Sequence, residues 1–414
     1  MSRKRVVVTG VGAVTPHGDN PNHFFDALLR GESAIGLFKP LEAPHPVAIP
    51  AGYCESFNGI ETLGRSRANG MDRFSQLGTV AAQAAWRDSR LEQATVPKQD
   101  IGVFWGTGGG GLSTTERSYR DLYLRDKARI SPLSVVLGMN NAAAAHIAFG
   151  LGLGGANFTY SVACASSSIA IGEAFRRVRS GETPVMVAGG SETPLVYGVI
   201  RAWESLQVLA LGDEATAPQA CRPFDVTRKG LVMSEGAGAI VLEDRDHAVK
   251  RGAHIYAELS GYGTSCDHSH LSRPDSAGQI RALSAALADA ELQADEIDYV
   301  NAHGTATQEG DAVEISSLSH VFGGHSSQVA ISATKSMHGH AMGAAGVIEA
   351  IVTIMTLARQ AIPPTAHLET IAPECAGLRH VVRGETGAIV RAALSNSFAF
   401  GGSNAVLAFR EYNA

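Results

Sequence analysis

Residues 91–111, LEQATVPKQDIGVFWGTGGGG, and residues 291–307, ELQADEIDYVNAHGTAT, share one succession: a helix end, an acidic spacer, an apolar strand and a glycine-bearing loop. Further along, CASSSIAIGEAF (164–175) and HAMGAAGVIEAI (340–351) each set small residues ahead of an Ala/Ile helix. RVVVTGVG (5–12) and IYAELSGYG (255–263) open the two copies. Matches in the same order predict a duplication, with similar halves at 1–252 and 253–414. No long Pro/Ser-rich linker divides them, so the halves are expected to share an interface. The first is longer and should hold inserted loops, RSYRDLYLRDKARISP (117–132) being one candidate.

Local pattern supplies the fold class. RVVVTG, IGVFWGTG, PVMVAGG and GAIVLED read as strands, while FFDALLRG, TVAAQAAWRDS and IAIGEAFRRVRSG read as helices. Nearly continuous apolar strands between helices imply sheets covered on both faces, hence α/β layers.

Composition narrows the classes. The chain has 414 residues, 45% hydrophobic and 18% charged, ample for a large core. Aromatics are 6% against 46 glycines, so that core must come from Ala, Val, Ile and Leu with close backbone approaches. A net charge of −6 gives no footprint for nucleic acid. Five scattered cysteines without a CxxC pair argue against disulfides or zinc, and for reduced thiols in the cytoplasm. MSRKRVVVTGVG lacks the apolar stretch of a secretory signal. The apolar run MGAAGVIEAIVTIMTLA carries Glu349 and suits a buried helix better than a membrane span.

GTGGGG (106–111) fits a dinucleotide turn, but no second strand ending in an acid follows, and no GK[ST] occurs. Tight turns are the better reading. The HGH and DHSH pairs lack a carboxylate or cysteine at ligand spacing, so no metal is expected. Polar chemistry gathers instead around Cys164, in SVACASSS, and in loops bearing His303, His338 and His340. Taken singly, each of these residues reads as ordinary filler or a hydrogen-bonded bystander.

Together, VACASSSIAIG, NAHGTATQEGD, KSMHGHAMGAAG and SNSFAFGGSN resemble, in this order and spacing, the elongating, decarboxylating β-ketoacyl-acyl-carrier-protein synthases. VVVTGVGAVTPHG and CRPFDVTRKGLVMSEGAGAIVLE are similar too, so the resemblance spans nearly the whole chain. It implies the thiolase-like five-layered α-β-α-β-α fold and a homodimer, with a heterodimer as the alternative. It implies a Cys-His-His triad of Cys164, His303 and His340, with Lys335 and Glu314 as a Lys–Glu pair beside the histidines and no role for His338. The backbone amides of Cys164 and Phe400 would form the oxyanion hole. Phe400, Gly401 and Gly402 would gate the acyl pocket, and Thr305 and Thr307 would bond the pantetheine arm.

No cofactor of its own is implied, since the substrate carries phosphopantetheine. The implied partners are acyl-carrier protein and malonyl-acyl-carrier protein, with no nucleic acid and no membrane. A helix N-terminus at the SVACASSS turn is expected to lower the Cys164 thiol from its ordinary value near 8.5. Gly109 stands where many relatives carry a bulky residue, which predicts a roomier acyl channel. For docking of an acidic carrier the cationic candidates are Arg65, Arg67 and Arg73, and Arg125, Lys127 and Arg129.

Three rivals remain. A thiolase would need a second active-site cysteine, and Cys375 in APECAGL is not in a Gly-rich loop. An initiating synthase would carry Asn in place of His340. A chain-length partner would have lost the nucleophile, although a catalytic subunit needing such a partner stays open, in fatty-acid or in polyketide or polyene assembly.

Overall fold

The computed structural model describes residues 3–40, 43–93 and 96–413. Its first five core strands are β1 (Val6–Val14), β2 (Gly102–Gly106), β3 (Asn157–Tyr160), β4 (Val185–Glu192) and β5 (Gly236–Asp244). The next five are β6 (Ala257–Cys266), β7 (Tyr299–Asn301), β8 (Ala330–Ser332), β9 (Ala392–Phe398) and β10 (Ser403–Arg410).

The first set runs in the order β1-β5-β4-β2-β3, the second in the order β6-β10-β9-β7-β8. In each, the two pairings that involve the last strand are antiparallel and the other two are parallel. Identical order and direction show that one unit has been used twice. A short antiparallel ladder, Val6–Val8 against Ala257–Leu259, joins the two sheets at their edges.

Six helices complete the layers: α1 (Arg73–Asp88), α2 (Ala142–Leu151), α3 (Ser166–Arg179), α4 (Ser276–Ala290), α5 (Gln308–Phe322) and α6 (Ala345–Arg359). Helices α3 and α6 lie between the sheets, sharing a core with Phe104, Ile240, Leu407 and Phe409. Helices α1 and α2 cover the outer face of the first sheet, and α4 and α5 that of the second. The alternation of a strand decides which layer each side chain joins. On β2, Phe104 enters the central core while Val103 and Trp105 face outward. Burying one such large apolar side chain contributes about 1.5–3 kcal/mol.

The sequence echo has a packing cause. A Cβ at Gly10 would lie 2.2 Å from Ala85 O, and one at Gly12 2.2 Å from Ala81 O, both on α1. On β6, Gly261 and Gly263 would meet Ala286 O at 2.5 Å and Ala282 O at 2.2 Å on α4. Both copies of the G-x-G strand exist because a helix backbone rests directly on the sheet. Among the described residues, the helix long and apolar enough to cross a membrane, Met342–Arg359, is the buried central helix with its lead-in turn.

Candidate active site

Cys164 stands between β3 and α3, with Ala165 capping the helix. Ala163 takes φ 45°, a left-handed conformation that costs an L-residue about 1–2 kcal/mol and is held by the surrounding bonds. Ser166 supplies two of these: its Oγ accepts the Val162 N–H (2.8 Å) and donates to Ala163 O (2.7 Å).

From the second half come both histidines. His340 precedes α6, its backbone pinned by His340 N–H to Val232 O (2.7 Å) and Ser234 N–H to His340 O (2.9 Å). That places His340 Nε2 3.1 Å from Cys164 Sγ. His303 follows β7, and its ring stands 5.3 Å from that of His340 at 85°. One sulfur and two imidazole nitrogens thus lie within 4.8 Å of one another. Such a trio has soft metal-ligand chemistry, but the Lys335 ammonium already crowds His303, which opposes a second cation there. His338 turns away, with Nε2 3.2 Å from Thr334 Oγ1 and its ring edge-on to Phe24.

The expected Lys335–Glu314 pair is not what forms. Lys335 is fully buried and its ion-pair partner is Glu349 on α6. The same ammonium donates to His303 O (2.5 Å) and stands 3.3 Å from His303 Nδ1. Glu314 instead accepts the backbone N–H groups of His303 and Gly304, both at 2.8 Å, and the Asn396 amide at 3.0 Å. Glu314 therefore holds the His303 turn through its backbone, and Lys335 orients the ring. Glu349 was visible only as one acid in an apolar run.

Burial sets the charge states. It holds His303 and His340 well below the ordinary imidazole value, with Lys335 adding to the effect, so both are neutral at neutral pH. Burial also pushes the Cys164 thiol up to about 11, against the pull of Lys335 and the Phe400 N–H. This corrects the expectation of a lowered thiol, because desolvation of the sulfur outweighs the helix end. The resting pair is a thiol and a neutral imidazole. Alkylation of Cys164 by a neutral haloacetamide should then rise about tenfold per pH unit from 7 to 10, since only thiolate reacts. A rate already flat at pH 7, followed by peptide mass spectrometry, would refute the assignment.

A cavity of about 400 Å³ opens over the sulfur, lined by Cys164, His303, His340, Thr305, Thr307, Phe398 and Phe400. Thr305 and Thr307 bond each other at 2.9 Å. Phe400 offers its backbone N–H to the sulfur, while its half-exposed ring stacks on Trp203 at 5.7 Å and 18°. Gly401 and Gly402 take φ 86° and 74°, which glycine adopts without strain.

Other expected positions fall elsewhere. Gly109 does not line this cavity, and a Cβ there would meet Leu112 Cδ1 at 2.5 Å, so Leu112 fills the room left by the missing side chain. None of Arg65, Arg67, Arg73, Arg125, Lys127 or Arg129 lines it either. Arg73 is held by Glu235, and Asp121 pairs with both Arg125 (3.1 Å) and Lys127 (2.7 Å). The cations that do line the cavity are Lys229 and Arg273, which charge runs in sequence did not single out.

A doubled five-layer fold with a buried cysteine and two neutral histidines at its centre defines a thiolase-like acyltransferase. Residues 3–248 match the family Beta-ketoacyl synthase, N-terminal domain, and residues 256–369 match Beta-ketoacyl synthase, C-terminal domain. The chain belongs to the β-ketoacyl synthase family. It is 39% identical over 417 residues to the 3-oxoacyl-[acyl-carrier-protein] synthase 2 of Synechocystis sp., covering 100% of this chain and 99% of that one. Among solved structures it is similar to the ishigamide ketosynthase/chain length factor (TM-score 0.90, 29% identity, 100% of both chains). It is equally similar to a type II PKS ketosynthase in complex with its acyl-carrier protein and bound to the hexaketide (TM-score 0.89, 27% identity, 100% of both chains).

Proposed function

We propose that the protein condenses an acyl group held on Cys164 with malonyl-acyl-carrier protein, releasing CO2 and 3-oxoacyl-acyl-carrier protein. The observation that carries this is the 3.1 Å approach of His340 Nε2 to the Cys164 sulfur, with His303 facing the same cavity.

In the first half-reaction Sγ adds to the pantetheine thioester as its proton passes to His340 Nε2. The oxyanion is received by the backbone N–H groups of Cys164 and Phe400, and the leaving thiolate takes the proton back. His340 Nδ1 has no hydrogen-bond partner among the described residues, so that ring can carry its proton on either nitrogen. In the second half-reaction the malonyl carboxylate leaves as CO2, and its electron pair forms an enolate. The Lys335 ammonium facing His303 Nδ1 makes that nitrogen the acceptor and puts the ring proton on Nε2, ready to meet the enolate oxygen. His340 is the second donor. The enolate carbon attacks the acyl carbonyl, Cys164 departs as thiolate, and a proton from solvent restores the thiol.

Thr305 and Thr307 are assigned to the pantetheine arm, and Lys229 and Arg273 to an acidic carrier at the tunnel mouth. The five cysteines are free thiols, as suits the cytoplasm. A homodimer is the first reading of the assembly. The outer edge of β3 is unpaired among the described residues, and Tyr123 and Val135 expose large apolar surfaces. The likeness to the ishigamide ketosynthase/chain length factor favours a second reading, a catalytic subunit with a chain-length partner; light scattering of the purified chain, alone and with such a partner, separates the two.

Intact mass spectrometry after incubation with acyl-carrier thioesters of graded length tests the function. The expected result is one acyl adduct, on Cys164. Arg273→Glu should slow loading from the carrier by about tenfold while sparing loading from a free pantetheine thioester. No adduct with any chain would refute the reading.

A further inference from the structure

Glu192 ends β4 as a buried carboxylate with no ion-pair partner among the described residues, and no step above uses it. Every group on it is a donor. Oε1 accepts Thr107 Oγ1–H and Gly109 N–H, both at 3.0 Å, while Oε2 accepts Gly108 N–H at 2.5 Å and Gly343 N–H at 3.0 Å. Thr107 Oγ1 in turn accepts the Gly110 N–H (3.1 Å), so one carboxylate holds the whole 107–110 turn.

That turn lies on the nucleophile's own turn. Ser161 Oγ donates to Gly108 O (3.3 Å) and Ser166 Oγ reaches Thr107 O at 3.4 Å. Gly343 belongs to the other side, three residues beyond His340 in the turn that enters α6. The two backbones are as close as they can come, since a Cβ on Gly343 would lie 2.4 Å from Gly108 N. His303 is held by a separate set, Lys335, Glu349 and Glu314, and the His340 backbone by Val232 and Ser234, none of which bonds Glu192.

We propose that Glu192 is a positioning residue that sets the Cys164 turn against the His340 loop by bonding the 107–110 turn and Gly343 on one carboxylate. The inference rests on the roles of Cys164 and His340 given above. It separates the half-reactions: acyl transfer needs sulfur and His340 in register, whereas malonyl decarboxylation needs the two histidines in register with each other.

Glu192→Gln keeps one acceptor oxygen and turns an NH2 either toward the Gly108 and Gly343 N–H groups or toward the Thr107 hydroxyl and the Gly109 N–H, breaking the latch on one side. In the full-length protein, single-turnover loading of Cys164 should fall about 100-fold, the effect of an ångström-scale misplacement, while malonyl decarboxylation changes less than about threefold. Gly343→Ala forces the same junction apart with the carboxylate intact and should show the same split, which covers a Gln variant that fails to fold. Equal losses in both half-reactions, or no loss in either, for the variant that folds would overturn the proposal. Failure of the wild-type protein to load at all would instead overturn the function itself.

Discussion

Exchange of Cys164 for Gln should abolish acyl-enzyme formation and condensation, by about 10⁴-fold or more, while CO2 release from malonyl thioester continues or rises. In the proposed mechanism the Cys164 sulfur takes the acyl chain, so its loss leaves no path to the condensed product. Decarboxylation asks something different: two N–H donors at the enolate oxygen, and His303 and His340 stay in place. The Gln side chain also puts a carbonyl where the acyl thioester carbonyl would sit, within reach of the Phe400 N–H that now points at the sulfur. The cavity then resembles its acyl-loaded state, which is the state meant to receive malonyl. Mass spectrometry of the carrier, following malonyl to acetyl thioester, reads the second activity without the first. A variant with unchanged thermal unfolding that lost both activities would contradict the division of labour between sulfur and imidazoles.

The parts legible in sequence are those in which local chemistry is forced by local packing. Gly10 and Gly12, and again Gly261 and Gly263, are spaced as they are because a helix backbone lies on the strand, and so the duplication could be read. Cys164, His303 and His340 stood out through their Gly- and Ser-rich surroundings and the family likeness. What stayed hidden depends on which distant groups share a pocket. Glu349 lies 14 residues beyond Lys335, on the central helix, and only the folded chain shows that the two pair. Charge runs marked Arg125 and Lys127, but Asp121 pairs with both, while Lys229 and Arg273, which lie in no marked run, line the cavity. The direction of the thiol shift was misjudged because a helix end is visible in sequence and burial is not. Glu192 was not singled out, since its partners, three backbone amides and one hydroxyl, are nothing that sequence marks.

The two histidines should separate when each is truncated. His303→Ala removes one enolate donor, a loss of about 10²–10³ in decarboxylation, yet should leave loading of Cys164 within about threefold of wild type. The reason is positional: the sulfur's neighbour at 3.1 Å is His340, and His303 meets that ring edge-on without taking the thiol proton. His340→Ala removes the acceptor for that proton as well as a donor to the enolate, so both half-reactions should drop by about 10² or more. Neutral imidazoles make a further demand on pH. Because burial holds both rings well below the ordinary value, decarboxylation should stay flat down through pH 6, where an ordinary histidine would already be charging. Loading too should stay flat from about pH 6 to 9, because the thiol hands its proton to neutral His340 within the step and neither group titrates in that range. Single-turnover mass spectrometry for loading, and CO2 release for decarboxylation, read the two profiles separately. Loss of loading in a folded His303→Ala variant would show that the rings share the thiol proton, and the assignment of His340 alone to the sulfur would fall.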